Sequence, residues 1–200
     1  MRRMILLLIL IAALLSGCAA VEPQAQIAAT TLPVYAFTTR LCDGTGLSVT
    51  RLITEPVSCL HDYSLNVNQV RSAEAAELVV ISGAGLEEFM ENLLSGKTVI
   101  DSSAGIDLLE AGHGHTHGDD EASHGSHHHE EDPHIWLSPV NAAIMAQNIA
   151  AGLCVQYPQY TNTFESNLHT LLAELDALQA YGEQQLSALH RIGHLLRAVE

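Results

Sequence analysis

Short apolar runs alternate with amphipathic stretches along most of this chain. Ile27–Thr31 reads as a strand, and Pro33 introduces a helix over Val34–Leu41, the position where a proline's fixed φ suits a first turn. Leu47–Ile53 alternates and is rich in β-branched residues, which predicts a second strand. Val67–Ala76 follows as a helix. Leu78-Val79-Val80-Ile81, closed by Ser82-Gly83, has the continuous apolar character of a strand buried on both faces. Leu86–Leu94 is predicted helical, and Thr98–Asp101 is another buried strand. Strands and helices alternating through short loops predict α/β architecture: an N-terminal lobe with a parallel β-sheet flanked by helices. Such sheets gather ligands beyond the C-terminal ends of their strands.

The periodicity fails between Ala111 and Asp132, a polar, histidine-rich stretch that reads as a loop. It returns at His134-Ile135-Trp136-Leu137. Ser138 then caps a helix with Pro139 in its first turn, and Val140, Ala143, Ile144, Ile149 and Leu153 are assigned to its apolar face. A longer helix runs from about Gln159 to Leu196. Phe164, Leu168, Leu171, Leu175 and Leu178 step by four and three along one side, so they form its packing seam.

The amino terminus changes the picture of where the chain works. Arg2 and Arg3 precede the apolar run Met4–Leu15 and the box Leu15-Ser16-Gly17-Cys18. The run is too short to span a bilayer comfortably but has the length of a signal-peptide core. A bacterial lipoprotein signal over residues 1–17 is expected, with cleavage before Cys18 and acylation of its thiol. Stable anchoring to the lipid bilayer needs two or more acyl chains. Residues 18–26 would then be a lipidated tether, 27–157 the metal-binding lobe, and 158–200 a connecting helix.

Charge narrows the partners. The 8 Lys+Arg, two of them in the signal, face 23 Asp+Glu, so the mature chain carries a net charge near −17 with His neutral. So acidic a surface argues against nucleic acid and anionic membranes and is compatible with collecting cations. Cys42, Cys59 and Cys154 remain after Cys18. Cys42 and Cys59 lie at the ends of neighbouring elements, so a disulfide between them is one reading, and three small buried hydrophobes is the other. No thiolate-cluster spacing is present.

The chemistry lies in histidine. His113, His115, His117, His124, His127, His128 and His129 stand among Asp119, Asp120, Glu121, Glu130, Glu131 and Asp132. Imidazole suits zinc, copper and nickel, and neighbouring carboxylates add charge. Two more histidines have ordered context. His61 follows the second strand, where a parallel sheet places ligands. His134 follows the loop, with Pro133 fixing its approach and carboxylates nearby to orient the ring through its other nitrogen. No HExxH or comparable hydrolytic motif is present, so no enzyme is expected.

At this point the sequence resembles the zinc and manganese receptors of bacterial ABC importers, the ZnuA-like family of metal-binding lipoproteins. The resemblance rests on Thr30-Thr31-Leu32-Pro33-Val34-Tyr35, on His61-Asp62-Tyr63-Ser64-Leu65, on Ala76–Val80 with Gly83–Met90, and on Asp132-Pro133-His134-Ile135-Trp136-Leu137-Ser138-Pro139. It implies that His61 and His134 are metal ligands from one lobe. It also implies that the tract from 113 to 129 is an auxiliary loop favouring Zn2+ over Mn2+. The partners implied are an ABC permease and its ATPase subunit. A third histidine and a carboxylate would come from a C-terminal lobe that the sequence does not reach. His190 and His194 fall outside the family's third-ligand motif and read as surface residues. The competing readings are a zinc-buffering or storage lipoprotein and a non-functional receptor fragment. The sequence speaks neither for nor against cell adhesion, a role claimed for relatives as a class.

Overall fold

The structure, a computed structural model, describes residues 25–55, 60, 63–109 and 131–197, with side chains to residue 187. Four parallel strands, β1 (Ile27–Ala29), β2 (Val49–Arg51), β3 (Leu78–Ile81) and β4 (Thr98–Asp101), form one sheet in the order β2-β1-β3-β4. Ile27 pairs with Val49 on one side and Leu78 on the other, and Leu78 pairs with Thr98. The chain moves outward from β1 to β2 and then crosses back to β3. The order therefore reverses between β1 and β3, the place where open α/β sheets leave a crevice.

Alternation along the strands sorts two cores. Ile27, Ala29, Leu78, Val80 and Ile100 face α1 (Leu32–Leu41), α4 (Pro139–Gln156) and the start of α5 (Thr161–Arg197), around Phe164. Ala28 and Val79 face the other way, onto Ala73 of α2 (Val67–Ala75), Met90 and the short α3 (Glu91–Leu94). The sheet is thus covered on both faces, which is why β3 is apolar at every position.

Starts of helices follow local chemistry. Asn66 caps α2 in a capping box with Gln69, and Ser138 caps α4 by accepting from the Asn141 N–H, with Pro139 in the first turn. The predicted helix over Leu86–Leu94 is not continuous. Gly83, Ala84 and Gly85 all have positive φ, and the chain enters a 3-10 turn at Glu88–Met90 before α3. Glu87 explains the delay, because its side chain turns back onto β3, as described below.

The apolar face of α4 also differs from the sequence reading. Val140 is exposed, while Ala142, Met145, Ala146, Ile149, Ala150 and Leu153 are buried. Small residues let the helix approach β4 closely: a Cβ on Gly152 would stand 2.5 Å from Ile100 Cδ1. On α5, Phe164 and Leu171 are buried, but Leu178 is exposed, as are Tyr181 and Leu186 farther along. The near end of α5 is latched to α1. Arg40 makes a two-pronged pair with Glu174, and Asn167 Nδ2 donates to the carbonyls of Leu41 and Asp43.

Cys42 is a free, buried thiol at the end of α1, and burial pushes its pKa up to about 12. It packs in the core with Leu41 and Tyr157. Cys59, the other half of the suggested disulfide, lies outside the described residues. No helix among the described residues is long and apolar enough to cross a membrane.

Candidate metal site

The C-terminal edge of the sheet is tied together by one carboxylate. Glu87 Oε1 accepts from the Thr30 hydroxyl at 2.6 Å and the Ser82 N–H at 2.8 Å, and Oε2 accepts from the Gly83 N–H at 3.0 Å. Thr31 and Ser82 share a hydroxyl–hydroxyl bond of 2.8 Å, and the Ser102 hydroxyl donates to the Ser82 carbonyl. The ends of β1, β3 and β4 are thereby fixed at the crevice. Burial pushes the Glu87 carboxyl above its ordinary range, against the pull of its three donors, with Asp101 adding to the rise. Sequence reasoning did not single out Glu87; its signal was a glutamate just after a Gly-Ala-Gly turn.

His134 stands at the far end of the polar stretch, just before a 3-10 turn at Ile135–Leu137 and the cap of α4. Asp132 Oδ1 accepts from the His134 backbone N–H at 2.9 Å and meets the ring Nδ1 at 2.6 Å. The first bond is an Asx turn across Pro133, whose ring restricts the backbone between the two residues. These bonds, the backbone one first, hold the Asp132 carboxyl below its usual range. A carboxylate against Nδ1 favours, in the neutral ring, the tautomer with its proton on Nδ1, which leaves Nε2 as the nitrogen able to bind a metal. This is the arrangement that orients a metal-binding imidazole. The Trp136 ring lies 5.3 Å from the imidazole.

A cavity of about 330 Å³ opens beside this pair, lined by Asp107, Leu109, Asp132, His134, Ser138 and Asn141 among others. The Asp132 N–H donates to the Leu109 carbonyl at 2.7 Å, so the two ends of the histidine-rich stretch meet at this cavity. A second cavity, about 360 Å³, lies past β1 and β2 and includes Thr31, Arg51, Glu55 and Leu60.

Of the sequence-derived site residues, only His134 and Cys42 are described. His61, the tract His113, His115, His117, His124, His127, His128 and His129, and Cys18 lie outside the described residues. Among the described residues no three His, Cys, Asp or Glu side chains converge as a metal cluster.

Residues 27–195 match the model of the family described as "ZnuA: Zinc-uptake complex component A periplasmic". The chain belongs to this family. The zinc-binding lipoprotein AdcA of Streptococcus pneumoniae is 33% identical over 197 residues, covering 92% of this chain and 38% of that protein. The crystal structure of Zn(II)-bound AdcA from the same species superposes with a TM-score of 0.63 at 28% identity, over 79% of this chain and 32% of its own. The metal-dependent lipoprotein YcdH of Bacillus subtilis gives a TM-score of 0.61 at 27% identity, over 78% and 53%. The chain therefore spans well under half the length of AdcA, and the ZnuA-like fold seen here corresponds to one part of it.

Proposed function

We propose that this chain is an extracytoplasmic zinc-capturing receptor of an ABC metal importer, tethered to the bilayer through an acylated Cys18. Zn2+ is its cargo, and a membrane permease with its ATPase subunit receives it. His61 and His134 are the ligands this part of the receptor supplies. No bond is made or broken in the protein's task, which is capture and release.

The observation that carries this reading is the Asp132–His134 pair, a histidine whose second nitrogen is already engaged by a carboxylate. Zinc normally takes four ligands, or three and a water, so two histidines leave open positions. The named relatives AdcA and YcdH, called zinc-binding and metal-dependent, support a metal in this fold. Manganese prefers more oxygen ligands than this imidazole-rich chain offers.

The seven histidines of the 113–129 tract support a second reading, a zinc-buffering lipoprotein. Equilibrium dialysis separates the two. The receptor reading predicts one tight zinc per chain that is lost in His134→Ala, with any weaker ions retained. Several equivalent ions indifferent to His134→Ala would favour buffering.

A further inference from the structure

The His134 side chain is 52% exposed, so burial does not immobilise its ring. Its main chain is fixed. The 3-10 turn Ile135–Leu137 starts on it, and the Leu137 N–H donates to the His134 carbonyl at 3.2 Å. Asp132, which meets the ring at Nδ1, is itself held in place, because its N–H donates to the Leu109 carbonyl at 2.7 Å.

The Asp132 contact leaves the imidazole some freedom. A hydrogen bond fixes the distance at one edge of a ring but tolerates rotation about its own axis. A single bond to Nδ1 therefore does not settle where the opposite nitrogen lies. Trp136 supplies a second contact. Its ring centroid stands 5.3 Å from that of the imidazole, with the two planes inclined at 60°, within the range of a favourable aromatic pair.

Core packing alone does not account for Trp136. Ile135, 5% exposed, already fills the core around Phe164 at this turn, whereas Trp136 is only partly buried against the same core. The indole thus bridges a rigid body and a histidine that would otherwise be loose in solvent. Ordering a side chain at the moment of binding costs conformational entropy that is subtracted from affinity, and packing that locks its rotamer in advance removes the cost. We infer that Trp136 is a positioning residue for His134: its ring and Asp132 Oδ1 grip the imidazole at two places and set it for zinc. The inference rests on the zinc-receptor reading.

The test uses the full chain in detergent, with zinc affinity read by chelator competition and Co2+ as a spectroscopic stand-in for zinc. His134→Ala serves as the reference, and the unfolding midpoint of the metal-free chain is read for every variant. Trp136→Leu keeps an apolar group against the core but removes the ring. It is expected to weaken the His134-dependent site about three- to tenfold, the span of one aromatic contact, and to alter the visible Co2+ spectrum. Trp136→Phe keeps a ring and should retain most of both. In the His134→Ala background, Trp136→Leu should leave the remaining zinc affinity unchanged, because its effect runs through that imidazole.

Wild-type affinity and Co2+ spectrum in Trp136→Leu, alongside loss of the site in His134→Ala, would overturn the positioning role and leave the receptor reading intact. An equal affinity loss from Trp136→Leu in the His134→Ala background would overturn it too, as would a loss that merely tracks lowered metal-free stability across Trp136→Phe and Trp136→Leu. Unchanged affinity in His134→Ala would remove the receptor site itself, and the positioning role with it.

Discussion

Asp132 Oδ1 receives both the backbone N–H and the ring Nδ1 of His134, at 2.9 and 2.6 Å. One carboxylate oxygen thus sets the backbone and the side-chain orientation of a single histidine. Removing it frees the ring to rotate and to exchange tautomers. Asp132→Ala should lower zinc affinity about 10- to 100-fold, with Asp132→Asn nearer the low end because the amide oxygen still accepts. Chelator competition measures it, and equal affinities in all three proteins would deny Asp132 this role.

Glu87 should behave as a structural linchpin. Glu87→Ala leaves the Thr30 hydroxyl and the Ser82 and Gly83 N–H groups without their acceptor, and a cost of at least about 2 kcal/mol in unfolding free energy is expected. Denaturant unfolding checks it.

The same residue gives a pH signature. Burial raises its folded pKa above the ordinary glutamate value, so the folded chain holds this proton more tightly than the unfolded one. Its contribution is therefore fully present below the unfolded pKa and is lost as pH rises through the folded pKa. Subtracting the unfolding free energy of Glu87→Gln from that of the wild type should give a difference that falls with rising pH across this window. A difference that rises would reverse the assigned direction.

Much of this fold was legible because burial on both faces leaves an unbroken apolar signature. Leu78–Ile81 is a buried strand at the bounds the pattern predicts. Thr98–Asp101 is a strand at its predicted bounds, but as the edge of the sheet it buries only Ile100 and not the whole strand as expected. Ser138-Pro139 opens a helix as its capping chemistry requires. Strand order was not legible, since nothing local in β1 records that β2 and β3 flank it. Hydrophobic size misled on α4, where alanines rather than Val140 meet the core. The helical pattern over Leu86–Leu94 concealed a side chain committed elsewhere, because Glu87 is turned back onto β3. At the site, the spacing of Asp132 and His134 across a proline was visible in sequence, but which of several nearby carboxylates engages the ring emerges only from the folded geometry.

Gly83 should be irreplaceable by alanine. Its φ is +82°, and an added Cβ would fall 1.9 Å from Asp101 Oδ1. Left-handed strain together with the forced displacement of Asp101 predicts a loss of about 2–4 kcal/mol for Gly83→Ala. Thermal unfolding of the variant reads it.

Cys42 should resist alkylation in the folded protein, since its buried thiol titrates only at about 12. Peptide mapping after native iodoacetamide treatment should recover Cys42 unmodified, and modified once the chain is unfolded. Recovery of Cys42 linked to Cys59 would contradict the free thiol seen here.

Calorimetric zinc titration of the wild type, of His61→Ala, of His134→Ala and of a chain lacking residues 113–130 bears on the whole functional reading. A tight one-to-one site that survives deletion of the tract and vanishes in either histidine variant is the predicted result. Binding that disappears with the tract and is indifferent to His61 and His134 would contradict it, and would make the histidine-rich segment the working part of the chain.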